Sequence, residues 1–191
     1  MLKTEEGTRS LASSALPYLK EHLSDAYTHY LGSLIGLNSE MPSLEYLMAV
    51  IRASHERIHT LQDVYNTASY FFRDPNYSKP ALIDFQSSHD PFLFGRLKPN
   101  STDFLAVGTL TRMVDKIAAI NEWNYANIST AIKQVARDMK QPSSKVMKLL
   151  RGALAGLESG VGVPAIVEIL GKEKTIRRIE KWKEFTDVGE F

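Results

Sequence analysis

Residues Lys145–Trp182, KVMKLLRGALAGLESGVGVPAIVEILGKEKTIRRIEKW, decide how this chain folds. The stretch opens as an amphipathic helix, expected from about Ser144 to Leu157. Val146, Leu149, Leu150, Ala153, Leu154 and Leu157 recur at spacings of three and four and make one buried stripe. Pro142 and the pair Ser143/Ser144 supply a start signal, because a Ser hydroxyl can accept from an orphan N–H of the first turn. Lys145, Lys148 and Arg151 lie off the stripe, three apart, and share a solvent face. Arg151 sits one turn before Gly156, where the helix should break, and its planar fork of donors can meet a base edge or a phosphate there.

Gly156, Gly160 and Gly162 then punctuate a loop that another backbone can approach closely. Pro164 is placed to open a short helix reaching Leu170, since a first-turn N–H has no partner to lose. Gly171 ends that helix. Lys172–Phe185 restarts it, with Ile176, Ile179 and Trp182 expected to face inward. From Lys133 to Lys183 there are twelve Lys/Arg against five Asp/Glu, a local balance of +7 in a chain whose net charge is +1. A basic C-terminal half beside a neutral remainder is a directional surface suited to a polyanion. Charge alone would favour a solvated helical face; the glycine loop beside Arg151 narrows that gap.

The remaining composition is that of an ordinary globular protein. With 191 residues, 43% of them hydrophobic and 24% charged, the chain can build one large core or two small ones. It has no cysteine, which excludes disulfides, zinc ribbons, thiol nucleophiles and iron–sulfur clusters together. No apolar run approaches the roughly 18 residues of a membrane span, so no membrane partner is expected. The opening MLKTEEGTRSLASSALPYL does not read as a secretory signal, and Glu5/Glu6 argue against a transit peptide.

Helical periodicity runs through the chain while strand alternation is scarce, so the fold class is all-α with two packed helical subdomains. The first is expected over residues 1–80. Leu11, Ala15, Tyr18, Leu19 and Leu23 open it, with a break at Pro17, and a helix Leu44–Ser54 follows. Thr60 and Asp63 have the spacing of a capping box before Leu61, Val64, Tyr65 and Ala68. Residues 81–100 read as an irregular connection. Residues 101–191 form the second subdomain, with helices starting at Ser101/Thr102 and running from about Ile128 to Met139 before the final pair.

Two motif matches are decoys. His55-Glu56-Arg57-Ile58-His59 spells H-E-x-x-H, which binds zinc only where one helix carries both histidines. Thr60 as an N-cap puts His59 at a helix junction, and no metal site is assigned. Gly160-Val161-Gly162-Val163-Pro164-Ala165 fits G-x-G-x-x-A, but a dinucleotide fingerprint follows a strand and this loop follows a helix. Trp123 and Trp182 read as packing residues rather than base-stacking platforms.

In its last helices the chain resembles the anticodon-binding end of bacterial- or organelle-type glutamyl-tRNA synthetases, of class I. The carrying residues are Leu150, Arg151, Ala153, Leu154 and Gly156 for an L-R-x-A-L-x-G helix end, then Leu170, Gly171, Lys172 and Glu173 for L-G-K-E. The first half is similar too, in Pro17-Tyr18-Leu19, in Arg57-Ile58-His59-Thr60-Leu61 for R-x-x-T-L, in Tyr70-Phe71-Phe72 and in Asp74-Pro75. Glu122-Trp123 matches an acidic-aromatic pair, so the resemblance spans roughly residues 10–185.

What the resemblance implies is a tRNA-binding region of a glutamate–tRNA ligase, with tRNA-Glu as partner. The ATP- and Mg-dependent activation of glutamate would belong to an N-terminal catalytic half in the same polypeptide. The H-I-G-H-like and K-M-S-K-S-like signatures of that half are not in this chain, so no catalytic residue and no cofactor is assigned to it. By position, Arg151, Gly160, Val163 and Arg57 are expected at the anticodon bases, and Lys148, Lys172, Arg177 and Arg178 at the tRNA backbone. Gly160 replaces a hydroxyl or amide residue and Ala155 a small hydroxyl, which weakens side-chain readout more than binding. The K-V-M-K-L-L-R wording points to the mitochondrial matrix ahead of a bacterial cytoplasm. A free-standing relative repurposed within a larger ribonucleoprotein assembly is the alternative, and a protein-binding adaptor a third.

Overall fold

In the computed structural model, residues 4–30, 42–75, 103–157 and 159–187 are described. Among the described residues there are seven α-helices, one short 3₁₀ turn and no strand, as the all-α reading expects. They divide into two units, Met1–Phe72 and Arg73–Phe191. Arg73, Asp74 and Pro75, counted above with the first subdomain, thus pack with the second. The expected connection at 81–100 and the Ser101/Thr102 cap lie outside the described residues.

The first unit is built on helix α1 (Glu5–Tyr30), packed against α2 (Leu44–Ser54) and α3 (Leu61–Ala68). Thr4 caps α1 by accepting from the Gly7 N–H, and Glu5 and Glu6 place negative charge in the first turn, where the helix dipole favours it. The expected break at Pro17 does not occur, because α1 runs straight through that residue. An interior proline costs about 3 kcal/mol. Ala12, Ala15 and Leu19 are fully buried on both sides of it, and Leu19 alone returns about 1.5–3 kcal/mol by leaving water. Pro17 itself faces solvent.

That stripe meets Leu47, Met48, Ile51, Ile58 and Val64 in one apolar cluster. The α2–α3 junction is a turn. Ser43 caps α2 through the Tyr46 N–H, and Thr60 caps α3 through the Asp63 N–H. The Asp63 carboxylate reaches back to the N–H groups of His59 and Thr60 at 2.9 and 2.7 Å, completing the expected capping box. Those hydrogen bonds, that from His59 foremost, hold Asp63 below the usual carboxylate pKa. The H-E-x-x-H run lies across this junction, with His55 already the C-cap of α2. Tyr46 closes the unit by donating its hydroxyl to the Phe71 carbonyl at 2.7 Å.

The second unit contains α4 (Asp103–Ala118), α5 (Tyr125–Asp138), α6 (Ser143–Ala155) and α7 (Val163–Asp187). Helix α7 packs on all three of the others. It is two helices joined at Gly171, whose φ of 80° and ψ of 167° leave the helical region, so the expected stop there is real. A break leaves carbonyls of the preceding turn without helical partners. Trp123 Nε1 donates to one of them, on Glu168, at 3.1 Å, while the Glu168 side chain accepts from the Tyr125 N–H at the start of α5. Trp123 is therefore a packing residue, as is Trp182, 3% exposed.

The inward face of the second half of α7 is Thr175, Arg178, Ile179 and Trp182, with Ile176 only partly covered. Here the expected stripe of Ile176, Ile179 and Trp182 is shifted, and an arginine takes a core position. Asn124 caps α5 through the Asn127 N–H. At α6 the expected serine cap is absent: Pro142 is the N-cap residue, and its carbonyl accepts from Lys145 and Val146 without a side-chain bond.

Candidate nucleic-acid interface

The candidate surface is the end of α6, the loop after it and the first turn of α7. Gly156 ends α6 in the left-handed conformation at φ 66°, its N–H returning to the Gly152 carbonyl. A Cβ there would also come within 3.3 Å of the Pro75 ring, so the turn takes glycine on both counts. The left-handed turn carries Leu157 off the α6 stripe, where the spacing had placed it, and leaves it 41% exposed. Gly162 receives the first bond of α7 from the Ile166 N–H. A Cβ on it would meet nothing within 4 Å, so the packing of the chain itself does not require a glycine there.

Arg151 sits where the sequence placed it, on the last turn of α6, and donates from Nη2 to the Val161 carbonyl at 3.3 Å. It thus spans the loop it was expected to serve. Gly160 lies on the same loop, partly covered. Val163 starts α7 with its side chain 1% exposed and packed into the core, which leaves its backbone, not its side chain, to meet a base. Arg57 is exposed on the α2–α3 turn of the first unit.

The four expected phosphate cations separate. Lys148 lies partly covered on the α6 face. Lys172 instead turns its ammonium onto the carbonyls of Ala118 and Ile120, at 3.1 and 2.5 Å, where it caps α4. It also lies 5.9 Å above the Trp123 ring. Arg177 pairs with Asp74 at 3.2 Å and keeps 40% of its side chain exposed.

Arg178 is a correction. Its side chain is 2% exposed and has no surface to offer a phosphate. Nε donates to Asp74 at 3.1 Å, Nη1 to the Leu154 carbonyl at 2.7 Å and Nη2 to the Arg73 carbonyl at 2.9 Å. A buried guanidinium persists only with such partners. Asp74 also accepts from Lys181 at 3.0 Å. Burial pushes the Asp74 carboxyl up, but the Lys181 hydrogen bond and the charges of Arg178, Arg177 and Lys181 outweigh it and hold the pKa at about 2. Sequence reasoning used Asp74 only together with Pro75, as a motif of the resemblance, and not as an ion-pair partner. Its partner had a signal, because Arg178 falls three residues after Thr175 and four before Trp182, on the inward stripe.

Against known proteins, the family profile described as an anticodon binding domain matches residues 10–183. Among curated relatives, glutamate–tRNA ligase 2 of Thermosipho melanesiensis is 26% identical over 148 residues, covering 75% of this chain and 29% of its own length. Glutamate–tRNA ligase 2 of Caldicellulosiruptor saccharolyticus is 22% identical over 168 residues, 86% of this chain and 32% of its own. The chain therefore spans about three tenths of these relatives. The crystal structure of a glutamate tRNA ligase from Elizabethkingia meningosepticum shares the fold, with a TM-score of 0.61, 24% identity, and coverage of 93% of this chain and 30% of that one. Profile and fold agree over nearly all of the chain, which belongs to the anticodon-binding domain family.

Proposed function

We propose that this chain is the tRNA-binding, anticodon-recognising region of a glutamate–tRNA ligase, with tRNA-Glu as its substrate RNA. It positions that tRNA for ATP- and Mg-dependent aminoacylation carried out by a catalytic part outside these residues. The observation that carries the reading is Arg151 on the last turn of α6, reaching across to the Val161 carbonyl of a glycine loop. Unstacked anticodon bases offer their edges to such a fork and to backbone groups at an open glycine such as Gly162. Base contacts then fall to Arg151 and the backbone around Gly160, while Arg57, exposed on the first unit, is a separate candidate for a base or backbone contact. Lys148 and Arg177 retain surface for phosphates, which position without specifying.

The test is a titration with a tRNA-Glu transcript, its anticodon-swapped counterpart, and the Arg151→Ala variant. Loss of one base-reading arginine should weaken binding by about 2 kcal/mol, roughly thirtyfold, and shrink the difference between the two transcripts. Binding indifferent to both changes but steeply dependent on salt would mark a generic RNA platform, and the reading would give way to a repurposed relative of this domain.

A further inference from the structure

The Asp74–Arg178 pair lies outside the candidate surface, yet it bears on the end of α6. Arg178 Nη1 holds the Leu154 carbonyl, one of the last four of α6, which lack helical partners. Leu154 is three residues after Arg151 and two before the left-handed Gly156. The opposite side of the guanidinium is held by Asp74 and by the Arg73 carbonyl. The next residue, Pro75, lies so near Gly156 that a Cβ there would be 3.3 Å from its ring. Segment 73–75 is therefore tied to the end of α6 through Arg178 and lies close beside Gly156 as well.

Three hydrogen bonds in three directions leave a planar guanidinium little freedom, and burial removes water as a competing partner. A surface phosphate contact would need none of this. We infer that Arg178, fixed by Asp74, is a positioning residue that sets the exit of α6 and with it the placement of Arg151 and of Gly156, where the following loop begins. The inference rests on the anticodon-reading proposal and deepens it. Arg178 touches no RNA and acts through the Leu154 carbonyl.

The experiment measures the ratio of affinities for cognate and anticodon-swapped tRNA-Glu transcripts, with the intact chain and with Arg178→Met, Arg178→Lys and Asp74→Asn. Circular dichroism sets an assay temperature at which each variant is folded. In Arg178→Met and Asp74→Asn the ratio should fall about tenfold while the salt dependence of binding stays as in the parent chain. Arg178→Lys, which keeps the charge but not the fork, should recover only part of the ratio. Should Arg178→Met not fold at any usable temperature, Asp74→Asn decides, since it retains Arg178 and keeps the side-chain shape. A folded Asp74→Asn with the parent ratio overturns the positioning role. A parent chain that does not distinguish the transcripts overturns the anticodon reading itself, so the two failures are told apart.

Discussion

At the scale of single residues, one carboxylate organises the second unit. Asp74 gathers Arg177, Arg178 and Lys181 within 3.2 Å and is held at a pKa of about 2 against an ordinary 3.8. A depressed carboxyl contributes stability that is complete above its unfolded pKa and is lost as the pH falls through the folded one. Asp74 should therefore contribute about 2 kcal/mol above pH 4, declining between pH 4 and pH 2. Urea unfolding at a series of pH values checks this. The stability difference between the parent chain and Asp74→Asn should narrow across that window, and a constant difference would mean the ion pairs contribute little. Arg178 was legible as a cation but not as a buried one, because hydropathy assigns every arginine to the surface. Only its register with Thr175 and Trp182 distinguished it, and its partner lies 104 residues away in sequence.

At the scale of elements, signals confined to a few neighbouring residues were readable and those needing a distant partner were not. The Thr60–Asp63 box, the helix Leu44–Ser54, the Gly156 stop and the Gly171 break all follow from local backbone chemistry, and all are present. Pro17 was misread because its helix is held by burial against α2 and α3, which outweighs the local penalty. Lys172 takes a further role that the sequence did not suggest, because the carbonyls it meets lie at the end of α4 and just past it. The end of α5 carries a feature no pattern suggested. Lys140 adopts φ 52°, with its N–H on the Arg137 carbonyl and that of Gln141 on the Ala136 carbonyl. This is a Schellman turn with lysine where glycine is preferred. Lys140→Gly should therefore stabilise the chain by about 1 kcal/mol, raising the melting temperature by a few degrees. An unchanged or lower melting temperature would show that the lysine fits that conformation at no cost.

At the scale of the whole molecule, the basic balance of residues 133–183 overstates the charge available to a partner. Lys172 and Arg178 are turned onto carbonyls and a carboxylate of their own unit, and Arg177 and Lys181 share Asp74. Electrostatic attraction is then weaker than the charge count suggests, and under the proposed function selectivity falls to the glycine loop with Arg151. No helix among the described residues is long and apolar enough to cross a membrane. The central claim is that the chain reads the anticodon arm, and the most direct measurement splits the RNA. Affinities are compared for the isolated anticodon stem–loop of tRNA-Glu and for a hairpin carrying only its acceptor arm. The anticodon hairpin should keep most of the affinity of the intact transcript, with the acceptor hairpin far weaker. Equal binding of the two hairpins would contradict the account.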